Sequence, residues 1–154
     1  MKYVNRYNKL MKSILDKLGD SLYDHPKAIE LKQLLEASIS NKDGIVFWEN
    51  RGENACYNPE FDFDETGFEA NINKIYLEDY LGEADGRSLI LESIAFMSAL
   101  KDKVKREIDG EIEIVLSIDL NENSATLRFY RKRKGQDYLG VDIEGYKMEA
   151  ILVM

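Results

Sequence analysis

A chain of 154 residues with a formal charge of −8 is long enough to form one domain, spanning residues 1–154, that buries about 70% of the surface its unfolded form exposes. Its single cysteine excludes an internal disulfide framework, its single histidine excludes a His-rich metal cluster, and no apolar run reaches the roughly 18 residues needed to cross a bilayer. The opening MKYVNRYNKLMKS is polar and broken by charge, so it lacks the apolar core of a secretory signal, and a cytoplasmic protein with no membrane partner is expected.

Taken in chain order, Val4, Tyr7, Leu10, Met11, Ile14, Leu15 and Leu18 recur at spacings of three and four, which predicts a helix ending near Gly19. Asp24-His25-Pro26 offers a second helix start, and Ile29, Leu31, Leu34, Leu35 and Ile39 continue its apolar face until Asn41 and Gly44 break it. The period then falls to two. Ile45–Glu49, Ala55–Tyr57, Glu60–Asp64 and Phe68–Leu77 read as short strands of a meander, with Asn50–Asn54 as the first turn between them. A long helix is expected from Arg87 to Ile108, stopped by Gly110. Alternation returns in EIEIVLSIDL and ATLRFYR, and KMEAILVM closes the chain. The predicted fold is α+β: an N-terminal helical pair and a mainly antiparallel sheet, with one long helix between two groups of strands.

Charge is unevenly spread. Residues 43–85 hold 12 acidic and 2 basic residues, a net of −10, and the remainder is slightly positive. That segment is unsuited to direct contact with nucleic acid and suited to a cationic partner. Within it, FDFDETG (Phe61–Gly67) matches the Asp-x-Asp-x-Thr opening of haloacid dehalogenase-like phosphatases, but the preceding Pro59 and Glu60 do not make the buried parallel strand that motif ends. As a calcium loop it places Asp62, Asp64, Thr66 and Gly67 correctly, yet Asn73 stands at position twelve where a bidentate Glu is required. The period-two reading instead sends Phe61 and Phe63 to the core and leaves Glu60, Asp62 and Asp64 as an acidic comb.

Other chemistry is sparse. His25 beside Pro26 has the setting of a surface residue, and Cys56 reads as a small core residue in a short strand. RKRKG (Arg131–Gly135) reads as a hairpin turn with solvated charges. Trp48, Tyr57, Tyr76 and Tyr80 lie in the acidic segment and suit the anchoring roles of interface aromatics.

In size, acidity and element order, and in the closing ATLRFYRKRKGQDYLGVDIEGYKMEAILVM, the chain resembles the small immunity proteins of bacterial polymorphic and contact-dependent toxin systems. The resemblance implies a non-enzymatic protein, without cofactor or metal, that binds a cognate toxin such as a nuclease. The expected face combines Glu60, Asp62, Asp64, Glu65 and Glu69 with Trp48, Tyr57, Tyr76 and Tyr80. A metal-dependent phosphohydrolase using Asp62 and Asp64, or a structural or regulatory protein-binding domain, are the alternatives.

Overall fold

A computed structural model describes residues 1–52 and 55–154 of the chain. At its centre lies the strand pair β5 (Ile112–Asp119) and β6 (Ser124–Arg131), close to the bounds that alternation predicts. A third strand at the end of the chain, Ala150–Val153, pairs with β5, and the short segments Arg6–Tyr7 and Ile75–Tyr76 pair at the two edges. Naming these β1 (Arg6–Tyr7), β4 (Ile75–Tyr76) and β7 (Ala150–Val153), the sheet runs β1-β7-β5-β6-β4 and every pairing is antiparallel. The α+β class expected from the sequence is the class observed.

Alternation sorts the side chains. Ile112, Ile114, Leu116, Ile118, Leu127 and Phe129 join one apolar cluster, and Val115, Tyr130, Ile151 and Val153 join another. Against the first cluster pack α1 (Lys9–Leu18), α2 (Ile29–Glu36) and the long helix α5 (Gly86–Glu107), which contributes Ile94, Met97, Leu100 and Val104. The start of α5 is set by Asp85, whose carboxylate accepts the Ser88 N–H at 2.7 Å. The second cluster is closed by Leu139 and Ile143 from the segment before β7, so β5 is covered on both faces.

The first half of the chain departs from expectation. Helix α1 begins at Lys9, because Asn8 caps it by accepting the Met11 N–H at 3.1 Å while Arg6 and Tyr7 are drawn into the sheet. Helix α2 ends at Glu36, and Ile39 lies in β2 (Ile39–Lys42), which pairs with β3 (Ile45–Trp48). Their two-residue turn is Asp43-Gly44, with φ of 53° and 81°, the left-handed pair that such a hairpin requires. Gly44 is therefore a turn residue and not a helix stop.

The expected meander is absent among the described residues. Ala55–Tyr57 and Glu60–Asp64 form no strand, and Glu49–Gly52 makes a helical turn, α3. The last residues of the expected first turn, Glu53 and Asn54, lie outside the described residues. The stretch read as the strand Phe68–Leu77 is mostly helix α4 (Glu65–Ile72), followed by the short β4. Asp64 decides this locally: its carboxylate accepts the Gly67 N–H at 2.6 Å and caps α4. Cys56 is exposed and not a core residue, for no strand carries it inward.

Candidate functional site

The acidic segment divides into a polar latch and a projecting loop. Thr66, Glu69 and Asn73 recur at helical spacing along α4 and are all fully buried. They face the unpaired edges of two strands. The Glu69 carboxylate accepts the Val46 N–H at 2.7 Å from β3 and the Arg131 N–H at 2.9 Å at the end of β6. Asn73 accepts the Trp48 N–H at 3.1 Å and donates to Val46 O and Phe129 O at 2.8 and 3.2 Å. Helix side chains thus do the work of a missing strand, satisfying backbone groups that burial would otherwise leave unpaired.

One cation completes the latch. Arg133 donates to Glu69 at 2.5 Å and to Gly44 O at 2.9 Å, and its Nε lies 3.4 Å from Glu65. Arg131 also donates to Gly44 O, at 3.2 Å. The basic run is therefore not a uniformly solvated turn: its two arginines tie the hairpin tip and α4 to the sheet, while Lys132 and Lys134 stay exposed. Thr66 accepts from Arg133 at 3.0 Å and donates to Gln136 Oε1 at 3.0 Å, which fixes the turn beyond β6.

The loop before α4 reverses the expected comb. Asp62 is half-buried and accepts the Asn58 N–H at 2.8 Å, Asn58 accepts the Glu60 N–H at 2.9 Å, and the Phe61 and Asp62 N–H groups return to Asn58 O at 3.0 and 2.8 Å. With Asp64 spent as a helix cap, both aspartates shape the backbone. The phenylalanines point out: Phe61 is 84% and Phe63 98% exposed. Beside this knuckle a groove of about 570 Å³ is lined by Phe47, Tyr57, Phe68, Asp43 and Glu65.

The remaining expected contact residues scatter. Glu60 is exposed on the loop and Glu65 is held beside Arg133, so these two stay near the knuckle. Trp48 is fully buried, its ring edge-on to Phe129 with centroids 5.3 Å apart, and is core rather than anchor. Glu69 belongs to the latch and is not a contact residue. Tyr57 packs edge-on against Phe68 at 5.9 Å on the groove wall, and Tyr76 is exposed with Lys74 over its ring. Tyr80 is partly buried against the core, its hydroxyl accepting from Arg51 at 3.2 Å. Asp62 and Asp64 each accept a backbone N–H, from Asn58 and Gly67, and no group of three His, Cys, Asp or Glu side chains that could hold an ion is found among the described residues.

Phe61 and Phe63 are the residues that the sequence reading sent to the core. Asn58-Pro59, a turn signal, followed by the Asp64-Glu65-Thr66-Gly67 cap leaves little room for a strand between them, and that signal was available.

A further buried carboxylate stands outside the acidic segment. Glu92 on α5 accepts the Tyr23 hydroxyl at 2.9 Å and the Lys27 and Ala28 N–H groups at 2.9 and 3.1 Å, capping α2, whose N-cap residue Ala28 has no side-chain acceptor. Burial and this carboxylate push the Tyr23 phenol up to about 12. Burial and the hydrogen bond to Glu113 also push Tyr130 well above the ordinary tyrosine range.

Fold and site together define an antiparallel α+β domain with an acidic segment organised around a buried carboxylate and a projecting pair of phenylalanines. A family model matches residues 6–154, and the chain belongs to that family, described as the Uncharacterized protein PM0498 family. No curated protein and no solved structure matches it. No helix among the described residues is long and apolar enough to cross a membrane.

Proposed function

We propose that this chain is a non-enzymatic binding protein that neutralises a basic partner, an immunity protein acting on a cognate toxin such as a nuclease in the bacterial cytoplasm. The observation that carries the reading is the exposure of Phe61 and Phe63, 84% and 98%, on a loop whose own hydrogen bonds hold it in place. Large apolar side chains left in water forgo about 1.5–3 kcal/mol each, which a pocket on a partner returns. Preformed aromatic anchors ringed by charge are how a few residues come to dominate an interface. Glu60 and Glu65 beside them, in a segment of net charge −10, steer a cationic partner into register.

The anchors are accordingly Phe61 and Phe63, with the groove at Tyr57 and Phe68 taking a side chain from the partner. The test is a search of the neighbouring genes for a toxin domain, then co-purification with it, titration and a nuclease assay. The double variant F61S/F63S is expected to weaken binding by about thirtyfold or more per anchor and to abolish inhibition, with the unfolding midpoint unchanged. Undiminished affinity in that variant rejects the surface, and failure of the unmodified protein to bind or inhibit the toxin rejects the role.

A further inference from the structure

We propose that the cleft between the amino-terminal segment and the C-terminal half of α5 is a binding site for a small phosphate-bearing anion, separate from the loop at Phe61. The cleft encloses about 480 Å³ and is lined by Lys2, Tyr3, Lys101, Lys105, Glu111 and Glu113. Sites for small ligands usually fall between about 300 and 1,000 Å³.

The charges lining this cleft are not equally satisfied. Glu111 and Glu113 stand 3.4 and 3.9 Å from Lys132 Nζ, and Glu113 also accepts the Tyr130 hydroxyl at 2.5 Å. Asp102, the nearby carboxylate on α5, accepts the Tyr3 hydroxyl and lies 3.8 Å from Lys2. Lys101 and Lys105 have no ion pair among the described residues. Lys101 donates to the carbonyl of Ile112, and the Lys2 and Lys105 ammonium groups both approach the Tyr3 ring, 5.0 and 4.9 Å from its centroid.

Lys101 and Lys105 are close enough to repel, and the hydration Lys101 loses on burial is offset only in part by Glu111 and Glu113, which also serve Lys132. Burial, with Lys105 adding to it, pulls Lys101 below the ordinary lysine range. A phosphate group offers two negative charges and several acceptor oxygens to such point cations, which suits lysines better than the fork geometry that arginine requires. Because the whole protein is negative, attraction is confined to the cleft and weakens as salt rises.

The probe is inorganic pyrophosphate added to the full chain, with sodium chloride at matched ionic strength as the reference and the thermal unfolding midpoint as the readout. A saturable rise with pyrophosphate, absent with chloride, is expected. Lys105→Gln, an exposed site, raises the apparent dissociation constant about tenfold, and K101Q/K105Q removes the rise. Lys134→Gln, on the exposed turn beyond β6, retains all of it. No rise in the unmodified protein, or equal rises in all variants, overturns the assignment; should K101Q/K105Q fail to fold, Lys105→Gln decides alone.

Discussion

Helix α4 and the loop that leads into it share one acidic segment and treat their side chains in opposite ways. The helix buries Thr66, Glu69 and Asn73, and the loop displays Phe61 and Phe63. In the helix, polarity is useful because two strand edges have backbone groups to satisfy, so the carboxylate is exchanged from water to three protein donors and becomes structural. In the loop, the backbone is satisfied by Asn58 and Asp62 at close range, so nothing in the fold requires the phenylalanines. The lesson is that burial follows the unmet needs of the neighbouring backbone, and that the residues left without a structural task are the ones free to bind.

The contrast is broken most severely at Glu69. Glu69→Ala leaves Arg133 and two strand N–H groups without their acceptor, and about 3–5 kcal/mol of stability is expected to go. Urea unfolding measures it, and amide exchange in β2 and β3 should rise with it. A loss below about 1 kcal/mol would mean that the latch is ornamental. Asp64→Ala removes only a cap, and a loss of about 1 kcal/mol is expected from the same unfolding curves. Neither substitution touches Phe61 or Phe63, so any effect of Asp64→Ala on partner binding beyond its effect on folding would tie the loop's shape to recognition.

Glu92 sharpens the contrast from outside the segment, because it is a buried carboxylate serving a helix end. Tyr23 keeps its proton up to about 12 in the folded protein against 10.0 for a free phenol, so the folded state holds that proton more tightly. Its contribution to stability is complete below pH 10 and is lost as pH climbs toward 12. Tyr23→Phe should flatten this part of the alkaline decline in urea midpoints while leaving the part due to Tyr130. An unchanged slope would show that Tyr23 is not held by Glu92.

The central sheet and α5 were legible because their buried faces are apolar: Ile112, Ile114, Leu116 and Ile118 alternate, and Ile94, Met97, Leu100 and Val104 follow a helical stripe. Helix α4 was hidden because the face it buries is polar, and a search for apolar period cannot see Thr66, Glu69 and Asn73. The period-two reading of FDFDE assigned Phe61 and Phe63 inward on chemistry alone, while the turn at Asn58 and the cap at Asp64 set the chain's path. Trp48 is core and not an anchor for a related reason: its ring meets Phe129, 81 positions along the chain on β6, a contact that local pattern does not show. Glu60 is exposed on the loop, and Glu65 is half-exposed beside Arg133, a pairing that the local sequence does not announce.

Glu69 also orders events in time. Its donors come from residues 23 positions before it and 62 and 64 positions after it. On the ribosome, α4 emerges with its own cap at Asp64, yet its carboxylate has no reason to leave water until Arg131 and Arg133 have been made. The hairpin, the helix and the loop therefore dock only when the last third of the chain is out of the exit tunnel. Until then a nascent chain would carry the locally bonded loop at Phe61 and Phe63 on an undocked tether.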